Sequence, residues 1–239
     1  MLVLGFDTTA STVSAALLRD GKLISQYSAS STTTHSTTLL PAIETLLQSA
    51  SLKAENLDLI CCSAGPGSFT GVRIGCATAK GLAAPFSIPC VGVSSLEALA
   101  LNVSETAGII CPVMDARRNQ LYNALFKYDN GELKRLTEDR VLSADELKSE
   151  LAGATEEVYL TGDGSYIAAK ALAEMNVKTP HEVLCYHNAY NVALLAYRAY
   201  SEANEQTRLG FTAEALAPVY LRMSQAERER LENLEKNKN

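Results

Sequence analysis

Two carboxylates and one glycine-rich run carry the chemistry that this sequence could perform. Asp7 closes the apolar run Val3-Leu4-Gly5-Phe6 and is followed by the hydroxyls of Thr8 and Thr9. Asp115 closes Ile109-Ile110-Cys111-Pro112-Val113-Met114 in the same way and leads into Ala116-Arg117. Such a carboxylate can hold a magnesium ion or orient a water against nucleotide phosphates. It can equally make a turn or cap hydrogen bond with no chemical role. Between the two lies Gly65-Pro66-Gly67-Ser68-Phe69-Thr70-Gly71-Val72-Arg73-Ile74-Gly75, directly after the apolar run ending in Cys61-Cys62. Glycines there permit positive φ and present bare N–H groups, so a strand, glycine turn and helix N-terminus make a common anion cradle. No Gly-Lys-[Ser/Thr] follows, which excludes a P-loop. The nucleotide-facing candidates are therefore Asp7, Thr8, Thr9, Gly65, Gly67, Ser68 and Asp115. Gly162 and Gly164, from a weaker glycine turn around Asp163, join them.

Other chemistries have less support. His35, His181 and His187 form no H-x-x-x-H or H-E-x-x-H arrangement, and no G-x-S-x-G elbow is present. The six cysteines (61, 62, 76, 90, 111 and 185) lie mostly in apolar runs and make no C-x-x-C pair. They read as buried thiols rather than as a zinc site. No catalytic residue and no metal-ligand set is assigned.

The elements that must position these groups repeat. Strand, carboxylate and hairpin appear first around Asp7 and Asp20-Gly21, then around Asp115 and Asn130-Gly131. A duplicated β-β-β-α unit with two related lobes follows from that pattern. Helical periodicity covers His35 to Gln48, with Leu39, Leu40, Ile43 and Leu47 on its apolar positions. It returns from Val72 to Phe86 with small side chains, including Ala77 and Gly81 beside Arg73 and Lys80. That small face either packs inside the domain or presents a patch to a partner. Ser94 to Glu97 has capping-box spacing, as has Ser143 to Glu146. Tyr166 to Met175 and Asn188 to Ala203 read as further helices, and the charged run from Ala226 to Asn239 as a solvated helix or frayed end.

The whole chain of 239 residues is 47% hydrophobic and 20% charged, with a net charge of −6. An acidic balance argues against direct salt-driven binding of nucleic acid. The N-terminal run reads as a strand rather than a leader, and no stretch approaches the ~18 apolar residues of a membrane span. A cytoplasmic protein without membrane contact is expected.

Five segments together, Asp7-Thr8-Thr9, the run Gly65–Gly75, Gly92-Val93-Ser94-Ser95-Leu96, Met114-Asp115-Ala116-Arg117 and Pro218-Val219-Tyr220-Leu221-Arg222, resemble the bacterial TsaB (YeaZ) family. They fall in the family's order and span nearly all of the chain. The resemblance implies an α/β, actin-like (ribonuclease-H-like) fold of two lobes, with mixed sheets flanked by helices. In those terms residues 1–107 form the first lobe, 108–208 the second, and 209–239 a C-terminal segment returning to the first. It implies a part in forming threonylcarbamoyladenosine (t6A) on tRNAs that read codons beginning with A.

The chemistry in that system belongs to a related, metal-dependent TsaD (Kae1) transferase, which a TsaB-type subunit pairs with through first-lobe helices. An ATPase of the TsaE type joins them. The implied partner face here takes His35, Leu39, Leu40, Ile43, Leu47, Arg73, Ala77, Lys80 and Gly81. A homodimer is expected when the partner is absent, tRNA contact only through the complex, and ATP or ADP with magnesium at most at the level of the complex. Where the transferase has its metal histidines, this chain has Ser95 and Leu99, and neither can replace an imidazole. The expectation is a non-catalytic accessory subunit without a cofactor of its own. The alternatives kept open are an actin-like ATPase or small-molecule kinase using Asp7 and Asp115, and a glycoprotease-like metal peptidase.

Overall fold

The computed structural model describes residues 1–30, 34–104 and 106–222. The expected charged helix from Ala226 onward lies outside the described residues.

A first sheet is built from β1 (Leu2–Asp7), β2 (Thr12–Arg19), β3 (Lys22–Ser30), β4 (Leu59–Gly65) and β5 (Cys90–Ser94), in the order β3-β2-β1-β4-β5. Asp20 and Gly21 take positive φ and turn β2 into an antiparallel β3, as their pairing in sequence required. β4 lies parallel to β1, and β5 parallel to β4. Helices α1 (His35–Ser49) and α2 (Phe69–Ala83) supply those crossovers on one face. Alternation along β1 sends Leu2, Leu4 and Phe6 into a cluster with Leu39, Ile43, Leu46, Val72 and Cys76 of these helices. Val3 faces the opposite way. α2 ends at Ala83 and tightens into a 3₁₀ turn over Ala84–Phe86, because Pro85 has no N–H to continue the α-helix.

The second sheet repeats the plan. It comprises β6 (Ile109–Asp115), β7 (Gln120–Asn123), β8 (Phe126–Asp129), β9 (Glu132–Arg135), β10 (Arg140–Ser143), β11 (Val158–Thr161) and β12 (Val177–Lys178). Its main order, β10-β7-β6-β11-β12, matches the first sheet strand for strand. The Asn130-Gly131 hairpin is not the counterpart of Asp20-Gly21: it joins β8 to β9, a ribbon attached to the start of β6. The third strand of the repeat is β10, which pairs with β7. Helices α4 (Ala144–Leu151) and α5 (Ser165–Ala171) cover this sheet, with Leu147, Leu151, Ala168 and Leu172 in its cluster. Ser143 and Glu146 form the expected capping box on α4. α5 is shorter than its periodicity suggested. The chain turns at Leu172–Met175 so that Val177 can join β11.

Two helices tie the lobes together. α3 (Ser95–Ala100) lies between them: Leu96 and Leu99 meet Ile110, Met114 and Phe126 of the second lobe, while Ala98 faces the first. α6 (Ala189–Glu202) follows the second sheet in sequence, and the expected boundary at residue 208 would place it there. It instead packs Ala189, Val192, Ala193 and Ala196 onto Val3, Ala16, Leu18 and Cys61, the free face of the first sheet. A sheet that is apolar on both faces needs a helix on each, and α1 and α2 cover only one. A short α7 (Glu205–Arg208) then leads into an extended segment across the first lobe.

Candidate functional site

β1 ends at Asp7 and β6 ends at Asp115, at equivalent points of the repeat, on either side of the junction between lobes. Between the lobes lies a cavity of about 430 Å³, lined among others by Thr9, Gly67, Ser68, Asp115, Arg117 and Asp163. Arg118 and Arg222 complete its basic side.

The two carboxylates have different fates. Asp115 reaches the cavity, where its Oδ1 accepts the Arg117 N–H at 2.7 Å and its own N–H donates to Asp163 at 3.1 Å. Asp7 does not line it. Asp7 is fully buried, and four donors take its oxygens: the Thr9 N–H at 2.7 Å, the Thr9 hydroxyl at 2.8 Å, the Ser63 hydroxyl, and His187 Nδ1 at 3.0 Å. Burial alone would raise this carboxyl, but the His187 charge and these hydrogen bonds outweigh it and hold Asp7 at about 2. Burial likewise pushes His187 down, while Asp7 lifts it above its ordinary value, with Asp163 adding to the lift. The pair is an internal ion pair, and a carboxylate so occupied presents no free oxygen to a magnesium ion. Nor is it a hydrolytic triad. Ser63 donates to the carboxylate rather than to the imidazole, and Nε2 of His187 is buried without a hydrogen-bond partner.

The glycine run is filled by the chain itself. Thr8 donates its hydroxyl to Gly71 O at 2.7 Å, and a Cβ on Gly71 would strike the Thr8 carbonyl oxygen. Gly65 has a φ of 124°, and a side chain there would strike the carbonyl of Val219 in the C-terminal segment. Gly67 packs on Thr9, and Gly164 on Met114 and Asp115. Gly162 lies under Val113. Of the nucleotide-facing candidates, Thr9, Gly67, Ser68 and Asp115 line the cavity, while Asp7, Thr8, Gly65, Gly162 and Gly164 do not. Ser68 is also the N-cap of α2, accepting the Gly71 N–H at 3.3 Å.

Ser95 and Leu99 are both buried on α3, and a hydroxyl and an isobutyl group offer no imidazole to a metal. Among the described residues no group of three or more His, Cys, Asp or Glu side chains is arranged to hold one. Glu97 is not half of a capping box. Ser94 accepts the Glu97 N–H at 3.2 Å, but the Glu97 carboxylate pairs with Arg135 at 2.8 Å. The charge-assisted bond to a guanidinium is stronger than a neutral bond back to the Ser94 N–H, and the same guanidinium also holds Asp139 at 2.6 Å.

The expected partner face divides in two. Leu39, Ile43 and Leu47 are largely buried, because their helical positions turn toward β2 and the first core, although Ile43 and Leu47 also line the floor of a groove between α1 and α2. Leu40 is 51% exposed on the other side of α1. On α2, Arg73, Ala77 and Gly81 are exposed at one-turn intervals, and a Cβ on Gly81 would have no neighbour within 4 Å. His35 is half-buried, with Nε2 at 2.6 Å from Ala10 O, so it anchors α1 to the β1–β2 turn. Lys80 points its ammonium at Glu214 O, 3.4 Å away. Leu40, Pro41, Glu44 and Gln48 of α1 face Leu82 of α2 across an apolar groove of about 410 Å³.

Sequence reading missed His187, Asp163 and the arginines of the cavity. His187 carried no motif, since its partner Asp7 lies 180 positions away. Arg117 and Arg222 stood inside two of the resembling segments, which was the available signal.

A family model described as "TsaD: tRNA N6-adenosine threonylcarbamoyltransferase" matches residues 22–230. The tRNA threonylcarbamoyladenosine biosynthesis protein TsaB of Bacillus subtilis is 34% identical over 98% of this chain and 99% of its own length. The protein of the same description from Haemophilus influenzae is 27% identical, over 93% of this chain and 94% of its own. The solved structure of YeaZ from Pseudomonas aeruginosa superposes with a TM-score of 0.78 at 25% identity, covering 92% of this chain and 99% of that one. The fold is the duplicated actin-like one, and the chain belongs to the TsaB family, within the wider group that the TsaD model describes.

Proposed function

We propose that this chain is the non-catalytic subunit of a complex that forms threonylcarbamoyladenosine on tRNA. It seats a metal-dependent transferase of the TsaD/Kae1 type on the exposed face of α2 and the outer rim of α1. The bare small-residue stripe at Ala77 and Gly81 carries the reading, since no other part of the described chain covers Gly81. Small residues allow a helix of the partner to approach closely, and the apolar groove beside Leu40 and Leu82 extends the surface. The occupied Asp7 supports the division of labour, because the carboxylate that would serve nucleotide chemistry is spent inside the fold. In this reading nucleotide and magnesium belong to the assembled complex and to a TsaE-type ATPase within it. Contact with tRNA comes through the partners, and two copies of this chain pair through the same face when the transferase is absent. The setting is cytoplasmic; among the described residues no helix is long and apolar enough to cross a membrane.

The test is reconstitution with purified transferase, ATPase and tRNA. Modification should require this chain, and neither ATP turnover nor t6A should arise from it alone. Ala77→Glu and Gly81→Arg should weaken capture of the transferase at least tenfold while shifting the thermal midpoint by no more than a few degrees. Full modification without this chain, or equal loss of binding and of stability in both variants, would refute the reading.

A further inference from the structure

We propose that residues 211–222 form a clasp coupling the angle between the lobes to occupation of the exposed face of α2. The coupling rests on the reading that the transferase docks on that face. The segment is first fastened along the first lobe. Phe211 O accepts the Cys90 N–H at 3.1 Å, Leu216 is buried in the first core, and the Val219 N–H donates to Ala64 O at 2.7 Å. The missing side chain at Gly65 is what lets Val219 lie so close to the glycine loop.

The next three residues reach both lobes. Tyr220 stacks on Phe69 at the start of α2, with ring centroids 4.0 Å apart and planes 2° from parallel. Arg73, one turn further along α2, donates from Nε to the Tyr220 hydroxyl at 2.7 Å and lies 5.0 and 5.5 Å from the two ring centroids. Leu221 packs against the second-lobe cluster of Met114 and Ala116. Arg222 donates from Nη1 to the carbonyl of Ala116 and, at 3.4 Å, to that of Arg117. Successive residues span roughly 3.5 Å each, so Tyr220 cannot shift far on α2 without pulling Arg222 on the second lobe.

The anchorage in the second lobe is itself taut. Arg117, Arg118 and Asn119 hold φ values of 65°, 55° and 57°, three successive non-glycine residues in the left-handed region. Such a run persists only where its surroundings hold it. The Arg117 N–H bond to Asp115 and the carbonyl bonds to Arg222 are among those holds.

Arg73, Ala77 and Gly81 share one face of α2, so a protein covering Ala77 and Gly81 also covers Arg73. Removing water from the Arg73–Tyr220 contact strengthens that charge-assisted hydrogen bond. Docking therefore favours the clasped form, in which Arg222 holds the second lobe against the first. By reciprocity, opening the clasp weakens docking by the same factor. Arg222 is thus a positioning residue that acts through Tyr220, not a contact of the partner.

The experiment uses the full chain with Cys185→Ser and spin labels at Lys22→Cys and Lys170→Cys, one on each lobe. Distances are measured alone and with excess transferase. The clasp predicts a distribution that narrows when the transferase binds. Arg222→Ala should broaden it and abolish the narrowing, and should weaken transferase affinity on the order of 5- to 10-fold. Tyr220→Phe keeps the stack and removes only the hydroxyl. It should reduce the narrowing while leaving the free chain unchanged, which separates the coupling from a loss of folding. Narrowing that persists in both variants, or an Arg222→Ala distribution equal to wild type, overturns the clasp. Failure of the unsubstituted chain to bind the transferase would remove the docking reading and the coupling with it. The free-chain distances would still decide whether Arg222 joins the lobes.

Discussion

Nδ1 of His187 lies 3.0 Å from Oδ2 of Asp7, with both side chains buried, so an imidazolium and a carboxylate neutralise each other beneath the cleft. The sign of each contribution follows from its shift. Asp7 falls from 3.8 to about 2, so its stabilisation, on the order of 2 kcal/mol, is present above pH 4 and lost as pH falls toward 2. His187 is raised above 6.5, so its share is complete below that value and is lost as pH rises through the folded value. Asp7→Asn removes the charge that keeps His187 protonated. Its cost should be about 3 kcal/mol at pH 6 and smaller at a pH above the folded value of His187, where the imidazole has lost its charge. Urea unfolding at the two values measures this, and an identical loss at both would mean that the pair is not ionic.

Glycines 71 and 81 lie on one helix and should respond oppositely to the same change. Gly71→Ala drives a methyl group into the Thr8 carbonyl and should cost about 3 kcal/mol. Gly81→Ala meets open space and should gain up to ~1 kcal/mol from helix propensity. Thermal melts of the two variants decide the point.

Thiol chemistry should report burial directly. Burial raises Cys111 to about 12 and Cys90 to about 11, and lifts Cys61 higher still. Of the six thiols only Cys185 is not buried. A chromogenic disulfide reagent at pH 8 should therefore consume about one thiol per folded chain quickly, and the rest only after unfolding. Rapid reaction of several thiols in the folded protein would contradict the packing described.

Arg135 holds Glu97 of α3 and Asp139 beside β10, with its guanidinium 4.6 Å from the ring centroid of Phe126. Arg135→Ala leaves two partly buried carboxylates near one another and should cost about 2 kcal/mol. Adding Glu97→Gln should recover part of that loss. Simple additivity of the two changes in urea unfolding would show that the residues do not interact.

The repeat was legible because local patterning specifies it. Asp7 and Asp115 each end an apolar run, and Asp20-Gly21 and Asn130-Gly131 are short-range turn signals that both formed hairpins. What local signals lacked was the identity of distant partners. The Asn130-Gly131 hairpin was real, yet its place in the repeat belonged to β10, since a side ribbon and a core strand read alike along the chain. Leu39 and Leu40 are adjacent and equally apolar, but the 100° between successive helical residues buries one and exposes the other. The glycines marked a close approach correctly. That Thr8 and Val219 were the approaching groups was invisible, because each lies far away in sequence.

The seat of α6 on the first sheet has a consequence for how the chain is made. A nascent chain emerges from its N-terminus, so all five strands of the first sheet leave the ribosome before residue 95, with α1 and α2 ready to cover one side. The other side, with Val3, Ala16, Leu18 and Cys61, stays uncovered until residues 189–202 appear. The whole second lobe is synthesised in that interval. The second lobe is thus an insertion within the first, and the half that begins synthesis is the last to be sealed. For that period a strip of apolar sheet stands open to chaperones, or to the same strip on another unfinished chain.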